Sequence, residues 1–176
     1  MAYHSVNPYD GQLIRTFPNT TDQEVEVALK NADIFYQFAK TQPIEKRAEK
    51  LQELADEFKN NIDHYARLIT TNMGKLFKES QAEVQKTSDF AEYYAKNGAA
   101  ALADVEYHDA PGVKAHVEYQ SIGAVFMIEP WNFPYAQIMR VFAPNFIAGN
   151  PVLLKDPSII PECAQAFEDA TLKVGI

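Results

Sequence analysis

The chain has 176 residues, of which 47% are hydrophobic, 12% aromatic and 23% charged, as in an ordinary globular protein. Its formal net charge of −8, with basic residues interleaved among acidic ones, excludes nucleic acid as a main partner, because phosphate binding needs clustered lysine and arginine. The longest apolar run, Ile122 to Ile128, is too short to cross a membrane, and Met1 to Thr16 does not resemble a signal peptide. A single cysteine suits a reducing compartment, so we expect a cytoplasmic protein without a membrane partner.

The chain begins with a predicted β-hairpin. The segment from Ser5 to Phe17 has an extended pattern, and Asp10-Gly11 is a hairpin turn signal. Thr21 and Glu24 then have the spacing of a capping box, which predicts the start of a first helix. The apolar residues of this helix recur at helical spacing and are expected to face the core: Val25, Ala28, Leu29, Ala32, Phe35 and Ala39.

Three further helices are predicted before Ala103. Pro43 suits the first turn of the second helix, and Gly74 suits a left-handed end of the third. The fourth is expected from about Lys78 to Asn97, with Gly98 as its stop. Residues 1–103 are therefore interpreted as a hairpin followed by a helical layer. The apolar stripes of the second and third helices comprise Ala48, Leu51, Leu54, Ala55, Phe58, Ile62, Tyr65, Ala66, Ile69 and Met73.

The periodicity changes after Ala103. Pro111-Gly112 is a turn signal, and the alternation of apolar and polar residues from Val113 to Gln120 describes a strand with one wet face. The same alternation also fits a strand that pairs with another subunit. Residues 104–121 are interpreted as this separate arm.

Residues 122–176 have the order strand, helix, strand, helix. Ile122 to Ile128 is nearly all apolar, as expected for a strand that is buried on both faces of a parallel sheet. A helix to about Ala148, a strand at Val152 to Lys155 and a helix from Pro161 to Val174 follow. This order predicts the beginning of a doubly wound, Rossmann-like α/β sheet. Because a third strand is expected where the chain stops, we interpret the sheet as incomplete.

No complete catalytic site can be found by local motifs. The four histidines are too far apart for a local metal site, and the chain has neither a Gly-x-Gly-x-x-Gly segment nor a Walker loop. The most informative segment is Trp131-Asn132, which lies where an apolar strand gives way to a helix, the position at which open α/β sheets bind ligands. Pro134 pre-sets the first helical turn, which would put Asn132 at the cap position. From these residues alone, Asn132 either caps the helix or faces a ligand.

Several motifs resemble the aldehyde dehydrogenase superfamily. They are Trp131 to Pro134 after an apolar strand, and then Gly149-Asn150 and Val152 to Lys155 about one helix later. Val6 to Gly11 is similar to the family's opening segment, and Asn72 to Lys75, with Glu79 and Glu83, is similar to its Gly-Lys segment. The resemblance extends over essentially the whole chain and implies the aldehyde dehydrogenase fold.

The resemblance implies that an aldehyde is oxidised to a carboxylic acid through a cysteine thiohemiacetal, with NAD or NADP as cofactor. Asn132 would be the oxyanion-hole residue. Arg140 corresponds to the arginine that binds the remote carboxylate in family members acting on succinate semialdehyde; an ion pair at the surface or between domains is the alternative. Lys155 would reach the adenosine ribose, and Ser158 stands where a ribose-binding glutamate is common. The residues implied in cofactor binding are Ile128, Pro130, Trp131, Asn132, Lys155, Asp156, Pro157 and Ser158; no metal site is implied.

The choice between NAD and NADP stays open at this point, because Ser158 removes a negative charge while Asp156 adds one. The family's nucleophilic cysteine and general base would lie downstream of Ile176, so we expect an N-terminal fragment that is inactive alone. Cys163 does not match the nucleophile and is interpreted as a small buried hydrophobe. Val113 to Gln120 matches the arm that pairs subunits, which implies a homo-oligomer, dimer or tetramer. The alternative is a non-catalytic module that pairs with a dehydrogenase subunit.

Overall fold

The structure is a computed structural model that describes residues 2–107 and 112–176. Its fold is mixed α/β, with a helical layer beside small two-stranded sheets. In the described ranges, no helix is both long enough and apolar enough to span a membrane. The elements are β1 (Tyr3–Val6), β2 (Leu13–Phe17), α1 (Asp22–Ala39), α2 (Ile44–Asn60), α3 (Ile62–Met73), α4 (Phe77–Ala101), β3 (Val105–Tyr107), β4 (Ala115–Val117), β5 (Val125–Ile128), α5 (Pro134–Ala148), β6 (Val152–Lys155) and α6 (Pro161–Lys173).

The predicted hairpin and the first helix cap are confirmed. Strands β1 and β2 pair antiparallel, and Gly11 in the turn has a φ of 71°. The capping box is formed, since the Glu24 amide donates to Thr21 Oγ1 over 3.2 Å and the Thr21 amide donates to Glu24 Oε2 over 2.7 Å. The expected burial of α1 is wrong in part, because Val25 is 46% and Leu29 is 45% exposed. Periodicity identifies an apolar face but not whether another element covers it.

The core lies between α2, α3, α4, α5 and α6. The predicted stripes of α2 and α3 are buried there except Ala48, Ile62 and Met73, which are half-buried against the core. Helix α3 ends at Gly74 with a φ of 76°, as expected. Helix α4 does not stop at Gly98 but continues to Ala101. A Cβ built on Gly98 would overlap Cγ2 of Ile147 on α5, so this glycine allows the two helices to approach closely.

The arm differs from the single strand that the alternation predicts. Strand β4 has three residues and pairs antiparallel with β3 of the same chain, with Val105 opposite Val117. All residues of both strands are exposed, so neither face is buried. Gly112 has a φ of 82°, which suits the predicted turn, whereas Pro111 lies outside the described residues.

The predicted strand–helix–strand–helix order is confirmed for residues 122–176. Strands β5 and β6 are parallel, with Val125 opposite Val152 and Ile128 opposite Lys155. The expected burial of β5 on both faces is wrong, since Met127 is 4% exposed but Phe126 is 64% exposed. Successive strand side chains point to opposite faces, so the described elements cover only the face that carries Met127.

Candidate active site

The parallel register brings the ends of β5 and β6 together. Ile128 lies opposite Lys155, and the Glu129 amide donates to the Lys155 carbonyl over 3.3 Å. The segments that follow both strands therefore leave the sheet side by side. Pro130 and Trp131 are exposed on one segment, and Ser158 is exposed on the other. The structure thus places the sequence-predicted cofactor residues at one edge, the carboxyl edge of the sheet, where α/β folds bind ligands.

Asn132 does not cap α5. The cap position is Phe133, which makes no side-chain capping hydrogen bond, and Pro134 occupies the first turn. The placement of Asn132 at the cap is therefore wrong by one residue. The Asn132 side chain is exposed, and across residues 2–107 and 112–176 no group forms a hydrogen bond with its amide. Its two N–H donors are available to a ligand.

The first amides of α5 are capped by Glu83, a residue of α4. Glu83 Oε1 accepts hydrogen bonds from the Tyr135 amide over 3.1 Å and from the Ala136 amide over 3.5 Å. Only 1% of the Glu83 side chain is exposed. A carboxylate at this position satisfies orphan donors and matches the positive end of the helix dipole. The start of α5 is therefore fixed by a neighbouring helix rather than by its own sequence.

Lys75 links Glu83 to the Asn132 backbone. It follows Gly74, whose left-handed conformation ends α3, and 11% of its side chain is exposed. Its ammonium forms an ion pair with Glu83 and donates to the Asn132 carbonyl over 2.9 Å. Lys75 Nζ also lies 3.8 Å from the centroid of the Phe133 ring. One cation therefore contacts both residues immediately before α5.

Burial raises the pKa of Glu83, and Lys75 together with the amides of Ala136 and Tyr135 opposes that rise. Sequence reasoning noted Lys75 and Glu83 only as part of a family-like segment and did not find this role. A signal was present, because Glu83 lies on the buried stripe of α4 beside Val84 and Thr87. A charged residue on such a stripe needs a partner.

The segment after β6 carries Lys155 on the surface. Its ammonium donates to the Asp156 carbonyl over 2.8 Å. Asp156 is half-buried, and burial raises its pKa, opposed by its own backbone amide and by the charge of Lys155. A surface ammonium held by one backbone acceptor can turn toward a phosphate at low cost.

Arg140 is exposed on α5. Its guanidinium donates to Gln137 Oε1, and its charge opposes the rise that burial causes in the pKa of Glu129. Throughout the described part of the chain, no carboxylate forms a salt bridge with Arg140. Among these residues, the charge of Arg140 therefore acts on Glu129 without a direct salt bridge.

Cys163 is fully buried in α6, with 0% exposure. Burial raises the pKa of its thiol to about 12. Since the thiolate is the nucleophilic form, this cysteine is poorly suited to covalent chemistry at neutral pH. Its interpretation as a small buried hydrophobe agrees with this environment. Among residues 2–107 and 112–176, no cluster of histidine, cysteine and carboxylate side chains could hold a metal ion.

Comparison with known proteins assigns the chain to a family. The sequence profile described as the aldehyde dehydrogenase family matches residues 1–176. The chain belongs to the aldehyde dehydrogenase family. Among solved structures, this family member is similar to succinic semialdehyde dehydrogenase from Streptococcus pyogenes in complex with NADP+, with 41% identity and a TM-score of 0.95. That match covers 99% of this chain and 38% of the other.

Curated relatives of this aldehyde dehydrogenase chain have related names. It is 33% identical to succinate-semialdehyde dehydrogenase (NADP+) of Deinococcus radiodurans, over 99% of this chain and 36% of that protein. It is 36% identical to succinate-semialdehyde dehydrogenase (NADP+) 1 of Mycobacterium ulcerans, over 99% of this chain and 39% of that protein. The chain therefore spans 36% and 39% of the length of these two relatives.

Proposed function

We propose that this chain supplies the oxyanion donor and part of the cofactor site for NADP-dependent oxidation of succinate semialdehyde, or of a similar short aldehyde, to the carboxylic acid. The observation that carries the proposal is the free, exposed amide of Asn132, next to the edge where Ile128 meets Lys155. A ligand at this edge would contact residues from both strands.

The role proposed for Asn132 is electrostatic. As the aldehyde carbon is attacked, its oxygen gains negative charge, and a side-chain amide can donate to that oxygen without itself titrating. The donor is worth most when it is held in place beforehand, since no reorganisation is then needed during the reaction. The contact of Lys75 with the Asn132 carbonyl supports this role, because it fixes the backbone that carries the side chain.

NADP is proposed to fit the carboxyl edge of the β5–β6 sheet better than NAD, which lacks the 2′-phosphate. Lys155 offers a surface ammonium, and Ser158 puts a neutral hydroxyl where a glutamate would repel a phosphate. Asp156 is half-buried, and its negative charge is partly offset by Lys155. When bound, the cofactor would take up the hydride that leaves the substrate carbon. The relatives named above as NADP+ enzymes support this choice.

Arg140 is proposed to bind a carboxylate at the far end of the aldehyde. Its planar guanidinium can hold a carboxylate by two parallel hydrogen bonds, which a lysine cannot do. It is exposed and forms no salt bridge with another described residue, so it is available to a charged ligand. The names of the relatives agree with a dicarboxylic semialdehyde as substrate.

The β3–β4 arm is proposed to pair subunits in a homo-oligomer. Val105, Tyr107 and Val117 are 41%, 47% and 44% exposed, and Tyr119 beyond β4 is 53% exposed. A short exposed ribbon with apolar side chains is marginal alone and gains stability by pairing.

The proposed function can be tested in a chimaera. The matching N-terminal segment of the S. pyogenes enzyme is replaced by this chain, to which it is similar with a TM-score of 0.95. We expect the purified chimaera to bind NADP+ and to reduce it when succinate semialdehyde is added. A folded chimaera that binds NADP+ but forms no NADPH with any short aldehyde would contradict the proposal. The unmodified S. pyogenes enzyme is the control.

A further inference from the structure

We propose that Lys75 and Glu83 are positioning residues that hold the amide of Asn132 in its working orientation. This inference rests on the proposed function of Asn132 as the oxyanion donor. It goes beyond that function because it assigns the orientation of the donor to two side chains outside the Asn132 segment.

The first step is that the Asn132 loop has no side-chain cap of its own. Phe133 occupies the cap position of α5 without a side-chain hydrogen bond, and the Asn132 side chain is exposed. The restraints come instead from Glu83, which accepts from the amides of Tyr135 and Ala136. The first turn of α5 is thereby fixed relative to α4, which sets the point at which the loop enters the helix.

The second step is that Lys75 fixes the loop just before that point. Its ammonium donates a hydrogen bond to the Asn132 carbonyl over 2.9 Å and lies 3.8 Å from the centroid of the Phe133 ring. Its partner Glu83 is buried, so the ammonium can move little without breaking an ion pair in a poorly solvated site. The contacts with the Asn132 carbonyl and with the amides of Tyr135 and Ala136 fix the backbone from which the Asn132 side chain projects.

The third step is that stability alone does not explain this pair. Both side chains are withdrawn from water, with 11% exposure for Lys75 and 1% for Glu83. A buried ion pair contributes little net stability, because desolvation offsets the attraction, and an apolar pair of similar size could fill the same space. An apolar pair would lack the polar groups that hold the carbonyl of Asn132 and the amides of α5 by hydrogen bonds.

The test uses the full 176-residue chain and needs no turnover. Trp131 is the only tryptophan in the chain and adjoins Asn132, so its fluorescence reports on this loop. Quenching of Trp131 by acrylamide is measured together with the NMR signals of the Asn132 side-chain amide, which are assigned by their loss in Asn132→Asp. The variants are Glu83→Gln, which keeps an acceptor but loses the charge, and Lys75→Met, which leaves the cap of α5 intact.

The matched control is Ser88→Ala. Ser88 is a buried polar residue of the same helix, and its hydroxyl donates to the Ala55 carbonyl over 2.9 Å, away from the loop. We expect Trp131 quenching to rise about twofold in Glu83→Gln and Lys75→Met, with shifted Asn132 amide signals, and to stay unchanged in Ser88→Ala. Unchanged Trp131 quenching and Asn132 signals in either folded variant would overturn the proposal.

This readout separates two possible failures. Loss of activity in Asn132→Ala concerns the proposed function, whereas mobility of the loop in the chain without substrate concerns only positioning. In the chimaera, Lys75→Met is expected to lower kcat by about 100-fold while KM for the aldehyde stays within about twofold, as for a misplaced reacting group. An unchanged kcat in a chimaera that loses activity with Asn132→Ala would also overturn the positioning role.

Discussion

Among the described residues, the side chain of Asn132 has no hydrogen-bond partner, because its neighbours satisfy the backbone around it. Lys75 donates a hydrogen bond to the carbonyl of Asn132. Glu83 accepts hydrogen bonds from the first amides of α5, which an asparagine at the cap position would otherwise accept. A side chain that is not needed to cap the helix can serve a ligand. This division of tasks is what distinguishes Asn132 from an ordinary helix cap.

Replacement of Asn132 by alanine tests the donor directly. In the chimaera with the S. pyogenes enzyme, we expect Asn132→Ala to lower kcat by about 100- to 1,000-fold, because one hydrogen bond to the charged oxygen is lost. KM should change little. Asn97→Ala is the control, since Asn97 is an exposed asparagine whose side-chain amide donates to the Tyr93 carbonyl in α4. Steady-state NADPH formation measures both variants, and equal kcat values would contradict the assignment.

Arg140 is tested by the charge of the substrate. Arg140→Gln should raise KM for succinate semialdehyde by roughly 10- to 100-fold, the effect of losing hydrogen bonds between charged groups. Butanal has a similar length but no carboxylate, so its kcat/KM should stay the same. A parallel loss for both aldehydes in NADPH assays would show that Arg140 has a structural role instead.

Glu83 should make stability depend on pH. Its pKa in the folded chain lies above the usual 4.5, so its ionisation disfavours the folded state. The stability that protonated Glu83 contributes is fully present below pH 4.5. It is lost as the pH rises through the raised pKa of Glu83 in the folded chain. The free energy of unfolding of Glu83→Gln relative to wild type should therefore increase over this window, as measured by urea titration. A constant difference between the two proteins from pH 4 to 7 would refute the prediction.

Single residues were predictable from sequence where a local motif carried them. The sequence predicted that Trp131, Asn132 and Lys155 lie at or just after strand ends, and the structure confirms that position, whereas their roles stay a prediction. The contacts of Lys75 and Glu83 with the start of α5 were not predicted. Lys75 is 57 positions from Asn132, and Glu83 is 52 positions from Tyr135. Local periodicity contains no information about which side chain meets which over such distances.

At the level of elements, helix α4 shows how a tertiary contact overrides a local signal. Gly98 was expected to stop the helix, yet glycine inside a helix costs only about 1 kcal/mol relative to alanine. Here its missing side chain makes room for Ile147 of α5. The close contact between the two helices also brings Glu83 to the start of α5.

The Gly98 contact can be measured in a double-mutant cycle. Gly98→Ala should destabilise the chain, because overpacking against Ile147 costs about 1–3 kcal/mol and the higher helix propensity of alanine offsets only about 1 kcal/mol of it. Ile147→Ala alone should cost about 2–5 kcal/mol by leaving a cavity. The double variant should be less destabilised than the sum, because the new methyl group occupies the vacated space. Additive changes in chemical denaturation would argue against the contact.

The strands also differ from the sequence-based prediction, and these differences have physical causes. Strand β3 was not predicted, because three residues are too few for a periodic signal. The apolar run of β5 predicted burial on both faces, but sequence does not show which partners cover a face, and Phe126 remains exposed. The parallel pairing of β5 and β6 was predicted correctly, since it follows from the order of elements.

At the level of the whole molecule, the proposal that the exposed β3–β4 ribbon pairs subunits can be tested by one substitution. In the chimaera, Val117→Glu should lower the molar mass measured by light scattering, because a charge would be buried between paired subunits. The control is Val27→Glu on α1, since Val27 is 49% exposed and Val117 is 44% exposed. Equal masses for both variants and the parent would contradict a role of the ribbon in assembly.

Because α5 is capped by Glu83 of α4 and not by a residue of its own, the order of folding is constrained. The amides of Tyr135 and Ala136 donate to Glu83 of α4, which lies 52 and 53 residues earlier in the chain. The first turn of α5 is therefore stable only once α4 has docked, and the two helices should fold as one cooperative unit. These two amides, which in a self-capped helix would fray and exchange quickly with solvent deuterium, should exchange only when the core itself opens.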